Sequence, residues 1–255
     1  MSPTEAPPAL SAFTLATDLD GTFAGGSIAA RETVARAIRA RRGARLIYVT
    51  GRSTASWRAL AHEANLPTPH IAITDVGTSV IDGASGEAVA EIEAGIAARW
   101  PGADLVRSRL AGVAGITEQD FDAPRRVSYD LIDGPLALAL ERVAERLRGI
   151  DVHLVGSAER YVDVLPGGVN KGTTLLSVLD WLRIAHGEAV VAGDSLNDLA
   201  LFETGLKGIL VANAEPALRK RVGDHPHVFA ATAPGADGIL EGLAHFGLVP
   251  GADDG

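Results

Sequence analysis

Two aspartates one residue apart, Asp18 and Asp20, end the first apolar run of the chain, which begins at Phe13, and they are followed by Gly21. One carboxylate of such a pair can attack an electrophile or bind a metal ion, and the other can move a proton. Holding two carboxylates so close is costly unless a cation or a proton compensates their charge. The pair therefore predicts nucleophilic or acid–base chemistry supported by a cation.

Three further polar groups occupy comparable places in the sequence. Thr50 to Arg52 follow a second apolar run, Lys171 begins a helical stretch, and Asp194 to Asp198 follow the run at 189–193. A single aspartate at a strand end is often a turn former or a helix cap. In an open parallel sheet, however, ligands bind beyond the carboxyl ends of the strands. Four polar groups at such ends predict one shared site.

The order of strand-like and helical runs supports this placement. They alternate from Phe13 to Thr74 in a βαβαβ order, which is typical of an α/β fold with a parallel sheet covered by helices. The turn-rich stretch at 82–86 then predicts a hairpin, and short strands and helices up to Val164 predict an inserted α+β domain. The alternation resumes at Asn170. We therefore predict a core domain over 1–80 and 166–255 and a second domain over 81–165.

Composition excludes several classes of function. The 255 residues carry a formal net charge of −9 without a basic stripe, which argues against a nucleic-acid partner. The sequence has no cysteine, so disulfides, thiolate metal sites and a cysteine nucleophile are excluded. No run is long and apolar enough for a membrane span, and residues 1–11 lack the pattern of a signal peptide. We expect a cytoplasmic protein, a monomer or weak dimer, with no membrane partner.

The residue types assign roles around Mg²⁺ and a phosphate group. Mg²⁺ prefers hard oxygen ligands, so the expected ligands are the carboxylates of Asp18 and Asp194 and the backbone carbonyl of Asp20. Asp18 is the expected nucleophile and forms an aspartyl-phosphate. Asp20 is expected to protonate the leaving oxygen and then to deprotonate the water that hydrolyses the intermediate.

Other residues of the four groups are expected to hold the phosphate and the nucleophile in place. Asp198 is expected to hold Lys171 or a metal-bound water, with Ser195 beside it in a supporting role. Thr50 and Gly51 taken alone also fit an ordinary turn, and Asp198 also fits a first-turn acid of a helix. The expected phosphate ligands, which offer hydrogen bonds or a positive charge, are Thr50, Gly51, Lys171 and Asn197.

Together these groups resemble the four motifs of the haloacid-dehalogenase superfamily of Mg²⁺-dependent phosphatases. The motifs occur in the superfamily's order: Asp18-Leu19-Asp20-Gly21-Thr22, Thr50-Gly51-Arg52, Lys171 and Gly193-Asp194-Ser195-Leu196-Asn197-Asp198. The resemblance covers the whole chain. It implies a Rossmann-like core domain, and it implies that the inserted α+β domain is a cap of type IIB.

A narrower resemblance is to the sucrose-phosphate phosphatase group. It rests on 48–53, 73–78, 163–166 and, in the cap, 118–119 and 124–129. Two departures fall where a sugar is expected: Asp120 to Asp122 form an extra segment, and Ser79 replaces a common acidic residue. The resemblance implies that polar side chains around the cap contact the sugar, and the expected contacts are Arg52, Asp75, Gly77, Thr78, Glu118, Gln119, Arg126 and Asp163.

The leading functional prediction is a phosphoric monoester hydrolase acting on a phosphorylated disaccharide or glycosyl phosphate, such as sucrose 6-phosphate or mannosylfructose phosphate. A phosphatase for a hexose-type monosaccharide phosphate and a phosphomutase are alternatives within the same superfamily. A dehalogenase is disfavoured, because it has no use for Asp20 as an acid and base. A phosphoacceptor switch and a sugar-phosphate-binding regulator are the non-enzymatic alternatives, and a switch domain needs only about half this length.

Overall fold

The structure is a computed structural model that describes residues 12–120 and 123–250. The N-terminal residues 1–11 and two residues of the extra cap segment, Phe121 and Asp122, lie outside the described residues. Within the part of the chain that is described, the search for a helix long and apolar enough to cross a membrane finds none.

Strands and helices alternate along most of the described chain. The strands are β1 (Thr14–Thr17), β2 (Arg45–Val49), β3 (Ile71–Thr74), β4 (Ser79–Asp82), β5 (Ile116–Glu118), β6 (Val127–Leu131), β7 (Val152–Ser157), β8 (Tyr161–Pro166), β9 (Ala189–Gly193), β10 (Lys207–Leu210) and β11 (Val228–Ala230). The helices are α1 (Ile28–Arg39), α2 (Thr54–Glu63), α3 (Ala90–Ala97), α4 (Ala103–Leu110), α5 (Leu136–Arg146), α6 (Lys171–Trp181), α7 (Leu199–Phe202), α8 (Pro216–Val222) and α9 (Gly235–His245).

These strands form two sheets of different type. The larger has seven strands in the order β11-β10-β9-β1-β2-β3-β4, and every pairing in it is parallel except that between β3 and β4. The smaller is antiparallel, in the order β5-β6-β8-β7. The predicted α/β core with a parallel sheet and an inserted α+β domain is confirmed.

The larger sheet is buried on both faces, as a parallel sheet requires. One apolar cluster joins residues such as Ile47 and Val191 to Leu175 of α6, and the other joins residues such as Tyr48 and Val190 to Val34 of α1. A third cluster joins the smaller sheet to α4 and α5, for example through Val162 and Val106. The other face of the smaller sheet is therefore left for polar residues.

Packing groups the segment after β4 with the core. Val89 and Ile96, at α3, belong to the apolar cluster of the larger sheet, whereas the cluster of the smaller sheet begins with Trp100 and Val106. The chain therefore passes from the apolar cluster of the larger sheet to that of the smaller sheet near Trp100. This point is later in the chain than residue 81, the predicted start of the second domain. The assignment of 1–80 and 166–255 to the core and 81–165 to the cap stays a prediction.

The hairpin predicted around 82–86 forms with a short second arm: an antiparallel bridge joins Ile81 to Ala88, and the Val89 N–H donates to the Val80 carbonyl at 2.9 Å. On its other edge β4 pairs along its length with β3. The turn itself forms, because the Asp82 side chain accepts hydrogen bonds from the backbone of Ala84 and Ser85.

The predicted N-cap at Ser53 is confirmed, since its side chain accepts a hydrogen bond from the backbone N–H of Ser56.

Candidate active site

Three of the predicted groups lie side by side at the carboxyl edge of the larger sheet. β9, β1 and β2 are neighbours in that sheet, and Asp194, Asp18 and Thr50 follow their last residues. The backbone N–H of Asp18 donates to the carbonyl of Ala192 at 2.9 Å, which continues the strand pairing into the site. The strand order therefore brings together residues that are far apart in the sequence.

The fourth group, Lys171, lies at the first residue of α6 and is fully buried. Asn170 fixes the start of that helix through a reciprocal capping box with Thr173. The Lys171 ammonium donates to Asp18 Oδ1 at 2.8 Å and to Asp198 Oδ1 at 2.6 Å. A lysine is poorly matched to the positive end of a helix, so these carboxylates are what hold it there.

Charge pairing decides the protonation of Lys171. Burial lowers the pKa of its ammonium, but the nearby carboxylates of Asp18 and Asp198 outweigh that effect, and the net pKa lies above its usual value. Asp198 has a second function, because its Oδ2 accepts the backbone N–H groups of Asp194 and Ser195, each at 3.1 Å. Asp198 therefore fixes both the cation and the loop that carries Asp194.

The same region has an excess of negative charge. Asp18, Asp194 and Asp198 each offer a carboxylate oxygen, and these oxygens lie within 4.8 Å of one another. Burial, and then repulsion from Asp198, raise the pKa of Asp18 well above its usual range, although Lys171 opposes the shift. Burial and Asp198 also raise the pKa of Asp194 to about 7. A hard divalent cation would relieve this repulsion, so the donor set fits Mg²⁺.

Gly21 allows the loop after β1 to approach Asp194. Its φ is +72°, and a Cβ at this position would collide with the Asp194 carboxylate. Thr22 also contacts Asp194, because its Oγ1 donates to Oδ1 at 2.8 Å. Asn213, which the sequence analysis did not identify, donates from Nδ2 to the Gly21 carbonyl at 2.9 Å. Side chains from β1 and β10 loops thus support the acidic cluster.

Asp20 lies at the mouth of the site and is paired with Arg52. The guanidinium donates to the two carboxylate oxygens of Asp20 at 2.6 and 2.7 Å. This bond to Asp20 raises the pKa of Arg52. Both side chains are partly exposed, at 54% for Asp20 and 33% for Arg52. Arg52, predicted as a sugar contact, therefore bonds to Asp20, the predicted acid and base.

Two other predicted phosphate ligands, Thr50 and Asn197, form hydrogen bonds within the protein. Thr50 is fully buried, and its Oγ1 accepts the backbone N–H of Arg52 at 3.1 Å. Asn197 Oδ1 accepts a hydrogen bond from Lys171 at 2.6 Å and one from the Ser195 hydroxyl at 3.1 Å. Gly51, Ser195 and Asn197 line a cavity above the site.

A cavity of about 850 Å³ lies above these groups. Asp18, Asp20 and Asp194 form part of its floor, and the polar face of the smaller sheet forms its roof. Cavities of several hundred Å³ with convergent polar groups are typical of small-molecule sites. The roof residues are Gln119, Arg126, Asp130, Ser157, Arg160, Tyr161 and Asp163.

Arg126 connects the roof to the floor. From the position just before β6 it donates to Asp75 Oδ1 at 3.0 Å, to the Gly51 carbonyl at 3.2 Å and to Asp163 Oδ1 at 3.4 Å. The Ser128 hydroxyl also donates to Asp163. Burial raises the pKa of both Asp75 and Asp163, and Arg126 opposes each shift. Of the two, both predicted sugar contacts, Asp75 is thus bonded across to the cap, whereas Asp163 is bonded within the smaller sheet.

Other predicted sugar contacts lie away from the cavity. Glu118 points to the opposite side of its sheet, where Arg107 of α4 donates to its Oε1 at 2.7 Å. Glu118 does not line the cavity, and its assignment as a sugar contact stays a prediction. Gly77 packs against Asn170, and Thr78 is fully buried with its carbonyl accepting from Arg125 at 3.1 Å. Of the cap residues predicted for this role, Gln119, Arg126 and Asp163 line the cavity.

The sequence analysis missed four roof residues: Asp130, Ser157, Arg160 and Tyr161. A usable signal was present for some of them, because residues two apart in a strand share a face. Ser128 and Asp130 therefore lie on the face opposite Val127 and Tyr129, which belong to the apolar cluster beneath the sheet.

Comparisons with known proteins identify the family of the chain. A family described as sucrose-6F-phosphate phosphohydrolase matches residues 11–247. Mannosylfructose-phosphate phosphatase of Agrobacterium fabrum is 34% identical, over 92% of this chain and 97% of the relative. Glucosylglycerol-phosphate synthase of Pseudomonas anguilliseptica is 39% identical over 92% of this chain, but the chain spans only 31% of that protein's length.

Solved structures with a similar fold include a sucrose-phosphatase. The sucrose-phosphatase of Synechocystis sp. PCC6803, in complex with sucrose and phosphate, superposes with a TM-score of 0.84 and 29% identity, covering 92% of this chain and 98% of that one. A Thermoplasma acidophilum protein shares the fold at a TM-score of 0.71 and 17% identity, covering 93% and 99%. The chain belongs to the sucrose-6F-phosphate phosphohydrolase family.

Proposed function

We propose that this protein is a Mg²⁺-dependent phosphatase that hydrolyses the phosphate monoester of a glycoside. The observation that carries the proposal is the pairing of buried Asp18 with Lys171, beside an intact Asp20, on the floor of a polar cavity. Phosphoryl transfer needs a positioned nucleophile and positive charge around the phosphoryl oxygens, and this floor offers both. The family supports the same class of substrate.

In the first step an oxygen of Asp18 attacks phosphorus. The new Oδ–P bond forms as the bond from phosphorus to the sugar oxygen breaks, and Asp20 gives its proton to the leaving oxygen. Lys171 neutralises charge on the phosphoryl oxygens, and Thr50 and the Gly51 backbone N–H donate hydrogen bonds to them. Asp198 keeps the Lys171 ammonium on Asp18 through the bond at 2.6 Å.

In the second step Asp20 takes a proton from water, and the water oxygen attacks phosphorus. The Oδ–P bond breaks, so Asp18 is regenerated and inorganic phosphate leaves. The ion pair with Arg52 suits the ionised carboxylate that performs this step. As the acid of the first step Asp20 carries its proton and separates from Arg52, and the partial exposure of both side chains leaves room for that movement.

Mg²⁺ would be held by Asp18 and Asp194, with the backbone carbonyl of Asp20 as a further ligand. When bound, it supplies positive charge that lets a carboxylate and a phosphate dianion approach each other. The excess of carboxylates over the Lys171 ammonium supports this assignment.

The proposed substrate has a sugar or polyol attached to the phosphorylated residue. Two relatives suggest which molecules to try: one is named for mannosylfructose phosphate, and the other, of which this chain spans a minor part, for glucosylglycerol phosphate. Sucrose 6-phosphate follows from the family. A monosaccharide phosphate phosphatase and a phosphomutase stay as alternatives, and analysis of the products separates the mutase from a hydrolase.

The test is the release of inorganic phosphate with Mg²⁺ from these three glycosyl phosphates and from glucose 6-phosphate and fructose 6-phosphate. We expect the highest kcat/KM on a glycosyl phosphate, and loss of turnover in Asp18→Asn. No phosphate release from any of these substrates, or full activity in Asp18→Asn, would overturn the proposal. A preference for a monosaccharide phosphate would keep the chemistry and replace the substrate.

A further inference from the structure

The loop that follows β10, residues 211–215, contacts both loops that carry the expected Mg²⁺ ligands. In the larger sheet β10 neighbours β9, whose loop carries Asp194, and β9 neighbours β1, whose loop carries Asp18 and Asp20. The β10 loop therefore reaches past the β9 loop to contact the β1 loop. It lies outside the lining of the cavity, so its contacts act on the ligand loops and not on a substrate.

Asn213 joins the β1 loop to the start of α9. Its Nδ2 donates to the Gly21 carbonyl, and its Oδ1 accepts the backbone N–H of Gly235, each at 2.9 Å. Because one of these backbone partners accepts and the other donates, a single orientation of the amide satisfies both. The Gly21 carbonyl is one peptide unit from the carbonyl of Asp20, which is an expected Mg²⁺ ligand. Asn213 therefore fixes the backbone next to that ligand.

Glu215 holds the β9 loop at Asp194. Its backbone N–H donates to the Asp194 carbonyl at 2.7 Å, and its Oε2 accepts the backbone N–H of Leu196 at 2.9 Å. Asp198 accepts the backbone N–H groups of Asp194 and Ser195. The backbone that carries the Asp194 ligand is thus held by two carboxylates, one within its own loop and one on the β10 loop.

The β10 loop has attachments of its own. Arg219 of α8 donates from Nη2 to the carbonyls of Val211 and Ala212, each at 3.2 Å. The chain after the β1 loop is tied to α9 a second time, because Asp237 accepts from the backbone N–H and the hydroxyl of Ser27 at 2.6 and 2.7 Å. The β10 loop is therefore a fixed support that sets the spacing of the two ligand loops.

The spacing of ligands decides which divalent cation a site prefers. Mg²⁺ requires nearly octahedral ligands at about 2.0–2.1 Å, whereas Ca²⁺ accepts a looser shell at about 2.3–2.6 Å. A site whose backbone can widen therefore loses affinity for Mg²⁺ more than for Ca²⁺. Residues that orient the ligands without touching the metal commonly contribute about 10–100-fold to metal affinity.

We propose that Asn213 and Glu215 are positioning residues that hold the two ligand loops at the spacing Mg²⁺ requires, and that they thereby make the site discriminate against Ca²⁺. The inference rests on the Mg²⁺ site of the proposed function. It assigns the selectivity of that site to side chains that lie outside the cavity lining and bond to backbone atoms. Either side chain can therefore be replaced without removing a ligand.

The test measures metal binding to the substrate-free protein. Asn213→Ala removes both bonds of the amide, Glu215→Met removes the acceptor of the Leu196 N–H, and Glu215→Gln keeps an acceptor there. Glu241→Met is the matched control, because the Glu241 carboxylate also accepts backbone N–H groups, but in the 232–233 loop, which carries no expected ligand. For each protein the Kd for Mg²⁺ and the Kd for Ca²⁺ are obtained from the rise in Tm with metal concentration.

We expect the Kd for Mg²⁺ to rise about tenfold in Asn213→Ala and in Glu215→Met, and the Kd for Ca²⁺ to rise less than about threefold. The ratio of the Kd for Ca²⁺ to the Kd for Mg²⁺ should therefore fall in both variants. In Glu215→Gln and Glu241→Met this ratio should stay within about twofold of the wild-type value. Glutamine keeps the hydrogen bond and loses the charge, so a fall in Glu215→Gln as large as in Glu215→Met would overturn the positioning role of Glu215.

Three further results would overturn the inference alone. The first is unchanged Mg²⁺ binding in Asn213→Ala and Glu215→Met. The second is an equal loss of Mg²⁺ and Ca²⁺ binding in these variants, which would indicate general support of the loops without a set spacing. The third is a fall of the ratio in Glu241→Met as large as in the two variants, because the effect would then be general to this end of the sheet.

The wild-type protein separates this inference from the proposed function. A wild type that binds no Mg²⁺ would overturn the inference and the metal assignment of the proposed function together. A wild type that binds Mg²⁺ and hydrolyses no phosphate ester, while the variants show the expected fall of the ratio, would overturn the proposed function and support the inference.

Discussion

The floor and the roof of the cavity hold their charged groups in opposite ways. On the floor, Lys171 and Asp198 are fully buried and Asp18 nearly so, and they are joined by bonds of 2.6 to 2.8 Å. On the roof, Asp130 and Arg160 are partly exposed and joined by one bond of 3.1 Å. The difference indicates that the floor is preorganised for one reaction, whereas the roof has groups that can exchange protein partners for a ligand.

The largest effect is expected from the floor, in Asp20→Asn. Loss of the acid and base should lower kcat on a glycosyl phosphate by about 10²–10⁴-fold. With p-nitrophenyl phosphate, whose leaving group needs no proton, the first step should persist while hydrolysis of the intermediate slows. Stopped-flow measurement should then show a burst of nitrophenol. Equal slowing of both steps, without a burst, would contradict the separate roles given to Asp20.

The floor and the roof should also differ in stability. Lys171→Met leaves Asp18 and Asp198 without their buried cation and should lower the free energy of unfolding by about 3–5 kcal/mol. Arg160→Met removes a mostly exposed partner, and the change should stay within about 1 kcal/mol. Urea denaturation of the metal-free proteins at pH 7 provides both numbers. Similar losses in the two variants would remove the physical distinction between floor and roof.

Arg126 joins the two regions, so its loss should affect both substrates. In Arg126→Gln the bonds to Asp75 and to the Gly51 carbonyl are weakened, and the phosphate loop loses a contact from the cap. We expect kcat/KM to fall about tenfold on the glycosyl phosphate and on p-nitrophenyl phosphate alike, as for the loss of one charge-assisted bond. A fall confined to the glycosyl phosphate would instead make Arg126 a sugar contact, as the sequence suggested.

The smallest of these effects concerns pH and metal. Burial raises the pKa of Asp194 from 3.8 to about 7, so between these pH values the folded metal-free protein keeps a proton that the unfolded chain has lost. The free energy of unfolding therefore falls as the pH rises from 3.8 to about 7. Mg²⁺ binds the deprotonated form, so the rise in Tm on adding Mg²⁺ should be larger at pH 8 than at pH 5.5. In Asp194→Asn the rise should be small at both pH values. An equal rise at both pH values in the wild type would contradict the assignment of Asp194 as a ligand.

The floor was predictable from the sequence, whereas only Gln119, Arg126 and Asp163 of the roof were, for a physical reason. In a parallel sheet the carboxyl ends of the strands lie along one edge. The positions of Asp18, Thr50 and Asp194 directly after apolar runs were therefore sufficient to predict that they share one site. In the antiparallel cap, the face that a residue occupies depends on the register between strands. Glu118 and Gln119 are adjacent, yet Glu118 bonds to a helix and Gln119 lines the cavity.

Some elements were missed because their local signals are weak. α4 begins after Gly102, which provides no side-chain cap, and β5 has only three residues. The turn at Ala158 and Glu159, whose φ values are +52° and +51°, lacks the glycine or asparagine that usually marks such a conformation. The conformation of these segments depends on tertiary packing, which a single sequence does not reveal.

The central claim, that Asp18 carries the phosphoryl group, is tested most directly by trapping the intermediate. Asp20→Asn is mixed with Mg²⁺ and p-nitrophenyl phosphate, whose leaving group needs no proton, then quenched in acid, digested and examined by mass spectrometry. A phosphoryl group on the peptide containing Asp18, absent in Asp18→Asn/Asp20→Asn, is the predicted result. Phosphate release by the wild type without any phosphorylated peptide, or with the phosphoryl group on another residue, would contradict it.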